Sequence, residues 1–149
     1  MIAGVRPPVV VEPATEEAVA AALAFADGEG LKVLIRGGGT QLGQGFPPTG
    51  GDILLSTAAL NRVVEHEPGD MTATAEAGLT LAGFQEALGK AGQWLALDPA
   101  LPPAIPIAGG VGPQARTIGG IVATAASGSH RLRYGGVRDQ IIGVRVVRA

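Results

Sequence analysis

The spacing of apolar positions along the 149-residue chain changes from one segment to the next. Val9, Val10 and Val11 make a β-branched run that Pro13 ends, which predicts a short strand. Thr15 follows as a helix cap, and Glu16 and Glu17 stand where the positive end of a helix dipole favours acids. Val19, Ala22, Leu23 and Ala26 then recur at helical spacing until Gly28 and Gly30. Residues 32–36 return to a strand pattern. Strand, helix and strand thus fit within about 28 residues, the size of a βαβ crossover with its parallel pair.

Further on, Ile53, Leu54, Leu55 and Ser56 predict a buried strand, and residues 62–67 and 71–76 flank the turn sequence Pro68-Gly69-Asp70 as the arms of a hairpin. A second helix is expected over residues 81–91, capped by Thr80, with Leu81, Phe84 and Leu88 on one side and Gly92 as its stop. Residues 98–116 hold five prolines and three glycines, too many for a helix or a central strand. A loop of that length in a compact domain is usually functional or mobile. Residues 118–126 predict a short helix of small residues, and residues 141–147 a final strand. This alternation indicates a mixed α/β or α+β domain. Because the sequence stops at Val146-Val147-Arg148-Ala149 with no closing element, a fragment of a longer domain is expected.

Composition narrows the chemistry. With 46% apolar residues the chain can build a core, and without cysteine it has no disulfide, thiolate metal site, iron–sulfur cluster or cysteine nucleophile of its own. No signal peptide and no transmembrane segment is expected, which makes cytoplasmic the default location. The net charge of −2 is unevenly spread. Residues 110–149 carry six arginines against the single acid Asp139, so a solvated arginine face and a nearby anionic ligand both fit. Two lysines and five aromatics are too few for a nucleic-acid platform, so no nucleic-acid partner is expected.

The anion reading gains weight from the five glycines that fall between Gly37 and Gly45, directly behind the second predicted strand. A Walker A loop needs Gly-Lys followed by Ser or Thr, and here Gly39 is followed by Thr40 and Gln41. A dinucleotide fingerprint needs G-x-G-x-x-G opening a helix, but Leu42 takes the third glycine position and Gly43, Gly45, Pro47 and Pro48 forbid the helix. A match at Gly110-Val111-Gly112 follows a proline-rich loop rather than a strand and is read as accidental. What remains is a strand ending in consecutive main-chain N–H groups curled about an anion, with a flexible loop as the plain alternative. A second small-residue cluster, Thr117-Ile118-Gly119-Gly120 continuing to Ser127-Gly128, admits either close approach of a ligand or tight helix packing. Two such bends suit a diphosphate held from two sides.

In order along the chain stand Pro13 with Glu16-Glu17, Arg36-Gly37-Gly38-Gly39-Thr40, Glu76-Ala77-Gly78, Gly92, Thr117-Ile118-Gly119-Gly120, Ser127-Gly128, and Tyr134-Gly135 with Asp139. By this ordered set the chain resembles the FAD-binding domain of the vanillyl-alcohol oxidase family, the para-cresol methylhydroxylase (PCMH) type, from Val9 to Val147. Gly92-Gln93-Trp94-Leu95, Asp98-Pro99 and residues 136–144 look most like the smaller FAD-binding subunit of bacterial glycolate oxidases. The resemblance implies an α+β fold with a small βαβ subdomain over residues 1–57. A second α+β subdomain, a mixed sheet flanked by helices and truncated at its C-terminus, is implied over residues 58–149.

It also implies that Arg36, Gly37, Gly38, Gly39, Thr40 and Gln41, with Thr117, Gly119 and Gly120, bind the FAD pyrophosphate, largely through main-chain donors. Pro99, Ala123 and the Ser127-Gly128 corner would border the ribityl chain or flavin, and backbone near Val144 would meet the adenine. Many relatives bond flavin covalently through a histidine in the first loop; Thr40 stands there, so non-covalent FAD is expected. The implied function is the FAD-binding component of a flavin-dependent 2-hydroxy-acid oxidase or dehydrogenase of the glycolate or D-lactate type. Its substrate groups would lie in a second domain, and flavin and iron–sulfur subunits are its implied partners. A non-catalytic assembly subunit and a generic phosphate-binding protein are the alternatives, and no catalytic residue is singled out. His130 reads as an exposed loop histidine, His66 as a surface residue and Trp94 as core. Arg131, Arg133 and Arg138 fit either an anion or a surface contact.

Overall fold

The computed structural model describes residues 4–43, 45–100 and 116–149. Three strands, β1 (Val9–Val11), β2 (Val33–Arg36) and β3 (Ile53–Ser56), form an all-parallel sheet in the order β1-β3-β2. Helix α1 (Glu16–Gly28) makes the crossover between β1 and β2, opened by Thr15, whose side chain accepts from the Ala18 amide at 3.2 Å. The expected parallel pair is therefore split. β3 inserts between its members, with Val10 and Leu34 both opposite Leu54. The sequence of β3 explains the placement, since Ile53, Leu54, Leu55 and Ser56 are all buried, as a strand covered on both faces must be. The Asp52 carboxylate anchors its entry by accepting from the Lys32 amide at 2.8 Å.

Strands β4 (Val63–Glu67) and β5 (Thr72–Ala75) form the antiparallel hairpin, and Met71 takes a left-handed conformation as the chain turns into β5. Arg62 and Glu76 close its open end through a 2.7 Å ion pair. Helix α2 (Leu81–Gly89) is capped by Thr80 and buries Phe84 and Leu88, two residues shorter than expected at its C-terminus. Helix α3 (Ile118–Thr124) ends early because Ala125 adopts a left-handed conformation at φ 49°. A single-turn helix α4 (Arg131–Tyr134) and a 3₁₀ turn (Val137–Gln140) follow. Leu97, Ile121 and Val137 form one buried cluster, onto which Leu81, Leu95 and Val122 pack.

Two expectations are corrected. Residues 141–147 contain no strand: Ile142 is 90% exposed, Val144 and Val146 stand out with it, and no described strand lies alongside to share their N–H and C=O groups. Arg145, pairing with Glu16 at 2.8 Å, ties this segment to α1. Trp94 is 52% exposed rather than core. It packs edge-on against His130 and Tyr134, with ring centroids 5.3 and 5.5 Å away. The Pro102–Pro106 stretch and the Gly110-Val111-Gly112 match lie outside the described residues.

Candidate functional site

β2 delivers the first bend. The Arg36 carbonyl still accepts from the Thr57 amide at 3.0 Å, and the chain then turns away from the sheet at Gly37. Gly39 has φ +75°, a conformation that glycine adopts without the Cβ penalty. Among the described residues, no amide from Gly37, Gly38, Gly39, Thr40 or Gln41 donates to a protein acceptor. All five residues are half-buried, and their donors meet no acceptor among the described residues.

The second bend is built differently. Thr117 bridges to Thr80, flanked by bonds from the Leu81 amide to the Arg116 carbonyl at 2.7 Å and from the Ile118 amide to the Leu79 carbonyl at 2.8 Å. The Gly119 amide donates to Ala77 O at 2.8 Å, and that of Gly120 reaches Thr117 Oγ1 at 3.3 Å. Gly119 is glycine for packing, because a Cβ there would sit 2.7 Å from the Ala77 methyl. The expectation that this bend offers main-chain donors is thus revised. Its amides at 118 to 120 are occupied, and what it presents is the Thr117 hydroxyl, an acceptor for Gly120 with its own proton uncommitted among the described residues.

The two bends meet. A Cβ on Gly37 would collide with Thr117 Oγ1 and lie 3.4 Å from Thr117 Cβ. Residues eighty positions apart in sequence are therefore in van der Waals contact, which sets the two bends side by side.

Beside this junction lies a cavity of about 290 Å³, into which Gln41, Pro99, Arg116, Thr124 and Ser127 face. That volume is near the lower end for ligand pockets and suits one portion of a dinucleotide. Pro99 is buried, and its neighbour Asp98 fixes the opposite wall. The Asp98 carboxylate accepts from Ser129 Oγ at 2.6 Å, from the Ser129 amide at 3.0 Å and from the His130 amide at 2.9 Å. The Ser129 hydroxyl, followed by the His130 amide, holds the Asp98 carboxyl below its ordinary range. Gly128 is pressed against the Asp98 carbonyl so closely that any Cβ would collide with it. His130 is half-buried, not simply exposed, and its Nδ1 lies 3.5 Å from Asp98 Oδ1. His66 likewise has a partner, with Nε2 at 2.9 Å from Gln93 Oε1.

Of the expected cofactor contacts, Gln41, Pro99 and Ser127 line the cavity, while Gly37 and Thr117 form the junction beside it. Ala123 is exposed on α3, and Val144 stands in the exposed C-terminal segment away from the cavity. Two residues were not anticipated. Asp98 caps the turn at Ser129 and His130 from 31 and 32 positions away, so no local sequence signal marks that role. Arg116 closed a loop in the sequence and gave no signal of being buried.

A parallel sheet ending in a glycine bend, in contact with a second bend and with a cavity beside the contact, is the arrangement the chain presents. Residues 7–149 match the family described as FAD binding domain, and the chain belongs to that family. Its sequence is 34% identical over 141 residues to a D-lactate dehydrogenase of Archaeoglobus fulgidus, covering 95% of this chain and 29% of that protein. It is 27% identical over 143 residues to glycolate oxidase subunit GlcD of Bacillus subtilis, covering 96% of this chain and 28% of that one. Among solved structures, an alkyldihydroxyacetonephosphate synthase superposes with a TM-score of 0.74 at 23% identity, over 89% of this chain and 25% of that one, a likeness of fold. The chain thus spans under a third of the length of these relatives. The loop amides, which meet no acceptor among the described residues, the Gly37–Thr117 contact and the unpartnered Arg116 Nε at the cavity fit the phosphates of FAD.

Proposed function

We propose that this chain is the FAD-binding part of a flavin-dependent 2-hydroxy-acid oxidase or dehydrogenase of the glycolate and D-lactate kind. The observation that carries the proposal is the junction of Gly37 with Thr117 beside a cavity, on a chain of the FAD binding domain family whose relatives include a D-lactate dehydrogenase and a glycolate oxidase subunit. When bound, FAD supplies the hydride-accepting chemistry. The amides of Gly37, Gly38, Gly39, Thr40 and Gln41 and the Thr117 hydroxyl would hold the diphosphate. Arg36 would stand beside the diphosphate where the loop leaves β2, while Gly119 lets α3 pack against Ala77 and Gly120 lies close to Thr117 Oγ1. Pro99, Ala123, Ser127 and Gly128 would border the ribityl chain and flavin, and Val144 the adenine. The proposed boundary between subdomains falls after β3, separating residues 1–57 from 58–149. The 2-hydroxy-acid site belongs to a further domain, and flavin and iron–sulfur subunits are the proposed partners. Among the described residues no helix is long and apolar enough to cross a membrane. The location proposed is cytoplasmic, with partner subunits linking the chain to the inner membrane face.

Because Thr40 occupies the loop position where relatives carry a flavin-bonding histidine, FAD is held reversibly. Acid precipitation of FAD-loaded chain should leave all the yellow colour in the supernatant; colour retained in the pellet contradicts reversible binding. Titration with FAD, FMN and ATP, read as shifts in melting temperature, tests the wider proposal, since only ligands of the native state raise it. A response to ATP alone overturns the flavin reading. A second reading, a non-catalytic assembly subunit with weak FAD occupancy, draws support from the occupied amides at residues 118 to 120 and predicts no response to any of the three.

A further inference from the structure

The buried polar side chains among the described residues are Ser56, Thr117 and Arg116, and of these only Arg116 carries a charge. It is 5% exposed, and its Nε has no hydrogen-bond partner. Among the described residues Arg62 pairs with Glu76 and Arg145 with Glu16, and His130 lies against Asp98, while no acid among them pairs with Arg116. Burial disfavours its charged form, yet a guanidinium stays protonated in proteins. A desolvated cation without a counter-charge is strongly unfavourable unless something meets it. Arg116 lines the 290 Å³ cavity, and among the described residues no acidic side chain lines it. The other described contributors are Gln41 at the end of the amide loop, Pro99 with Ala100, and small residues at and beyond the α3 terminus.

We propose that Arg116 makes this cavity an oxyanion subsite, its planar fork meeting a phosphate or carboxylate oxygen of the bound ligand. The guanidinium matches such oxygens in shape as well as charge. Two sources share that chemistry: the FAD diphosphate, which rests on the function proposed above, and the carboxylate of a 2-hydroxy acid. The diphosphate is the nearer source, because Gln41 belongs both to the amide loop and to the cavity wall. Arg116 then adds a buried formal positive charge to a cradle of neutral amides and one hydroxyl.

The test compares the wild-type chain with Arg116→Met and Arg116→Lys, titrated with FAD, riboflavin, ADP, inorganic pyrophosphate and D-lactate. In Arg116→Met the dissociation constants for FAD, ADP and pyrophosphate should rise about tenfold or more, the usual worth of a charged hydrogen bond. Riboflavin, which has no phosphate, should bind both proteins equally. The ligand-free Met variant should melt no lower than wild type, since an unmet buried charge has been removed, whereas a merely structural arginine would lower the melt and leave anion affinities intact. Loss of D-lactate binding with ADP and pyrophosphate unchanged keeps the subsite and assigns it to a carboxylate. Equal affinities of wild type and Arg116→Met for every anion overturn the inference while leaving the flavin reading in place. Pyrophosphate binding that depends on Arg116 without any response to FAD keeps the subsite and removes the flavin reading. Should Arg116→Met fail to fold, Arg116→Lys decides: unchanged anion affinities in the wild-type chain between low and high salt, with full retention in the lysine variant, overturn the inference.

Discussion

At Gly37 the absence of a side chain is what lets two distant bends touch. Gly37→Ala should therefore destabilise the chain by about 1–3 kcal/mol, as overpacking does, and weaken FAD binding in the same protein; urea melts and flavin-fluorescence titration check both. Asp98 acts on the other wall. Its carboxyl is lowered by Ser129 and His130, so its contribution to stability is full above the unfolded carboxylate range and lost as pH falls through the lowered folded value. Asp98→Asn should melt below wild type at neutral pH, with the gap closing on acidification through that range, as a series of thermal melts would show. The glycine loop was legible because Gly37, Gly38 and Gly39 break every local preference at once. Arg116 was not legible, because nothing in its neighbours distinguishes a buried arginine from a solvated one; its burial comes from tertiary packing.

Elements obeyed the sequence where a periodic face and a cap agreed. Thr15, Thr80 and Thr117 each accept from an amide three residues on, at 3.2, 3.0 and 3.3 Å. Thr80→Ala should cost about 1 kcal/mol in chemical denaturation, the ordinary worth of an N-cap, and fray the first turn of α2. The hairpin and β3 were equally legible from Pro68-Gly69-Asp70 and from a four-residue run of uninterrupted burial. Residues 141–147 show where this logic stops. Their β-branched composition describes a surface suited to a sheet, but a strand exists only where another strand accepts its hydrogen bonds. Trp94 failed for a related reason: two aromatic edges, His130 and Tyr134, gave it a half-exposed seat that no periodicity announces.

For the molecule as a whole, the ion pair between Arg145 and Glu16 joins residues 129 positions apart, yet both partners are largely solvent-exposed. Exposed pairs are screened by salt and contribute little, so Arg145→Ala should leave the thermal melt unchanged within error at physiological ionic strength. The order of the parallel sheet matters more. β1 and β2 make no ladder with each other; each bonds only to β3, which comes last in sequence. A nascent chain that has released residues 1–52 from the ribosome thus has a helix and two strands with nothing to join them. Ile53, Leu54, Leu55 and Ser56 must emerge and slide between them before β2 can aim the glycine bend at all. Placement of the proposed cofactor cradle thus depends on four residues of which only Ser56, opposite Arg36, stands beside it.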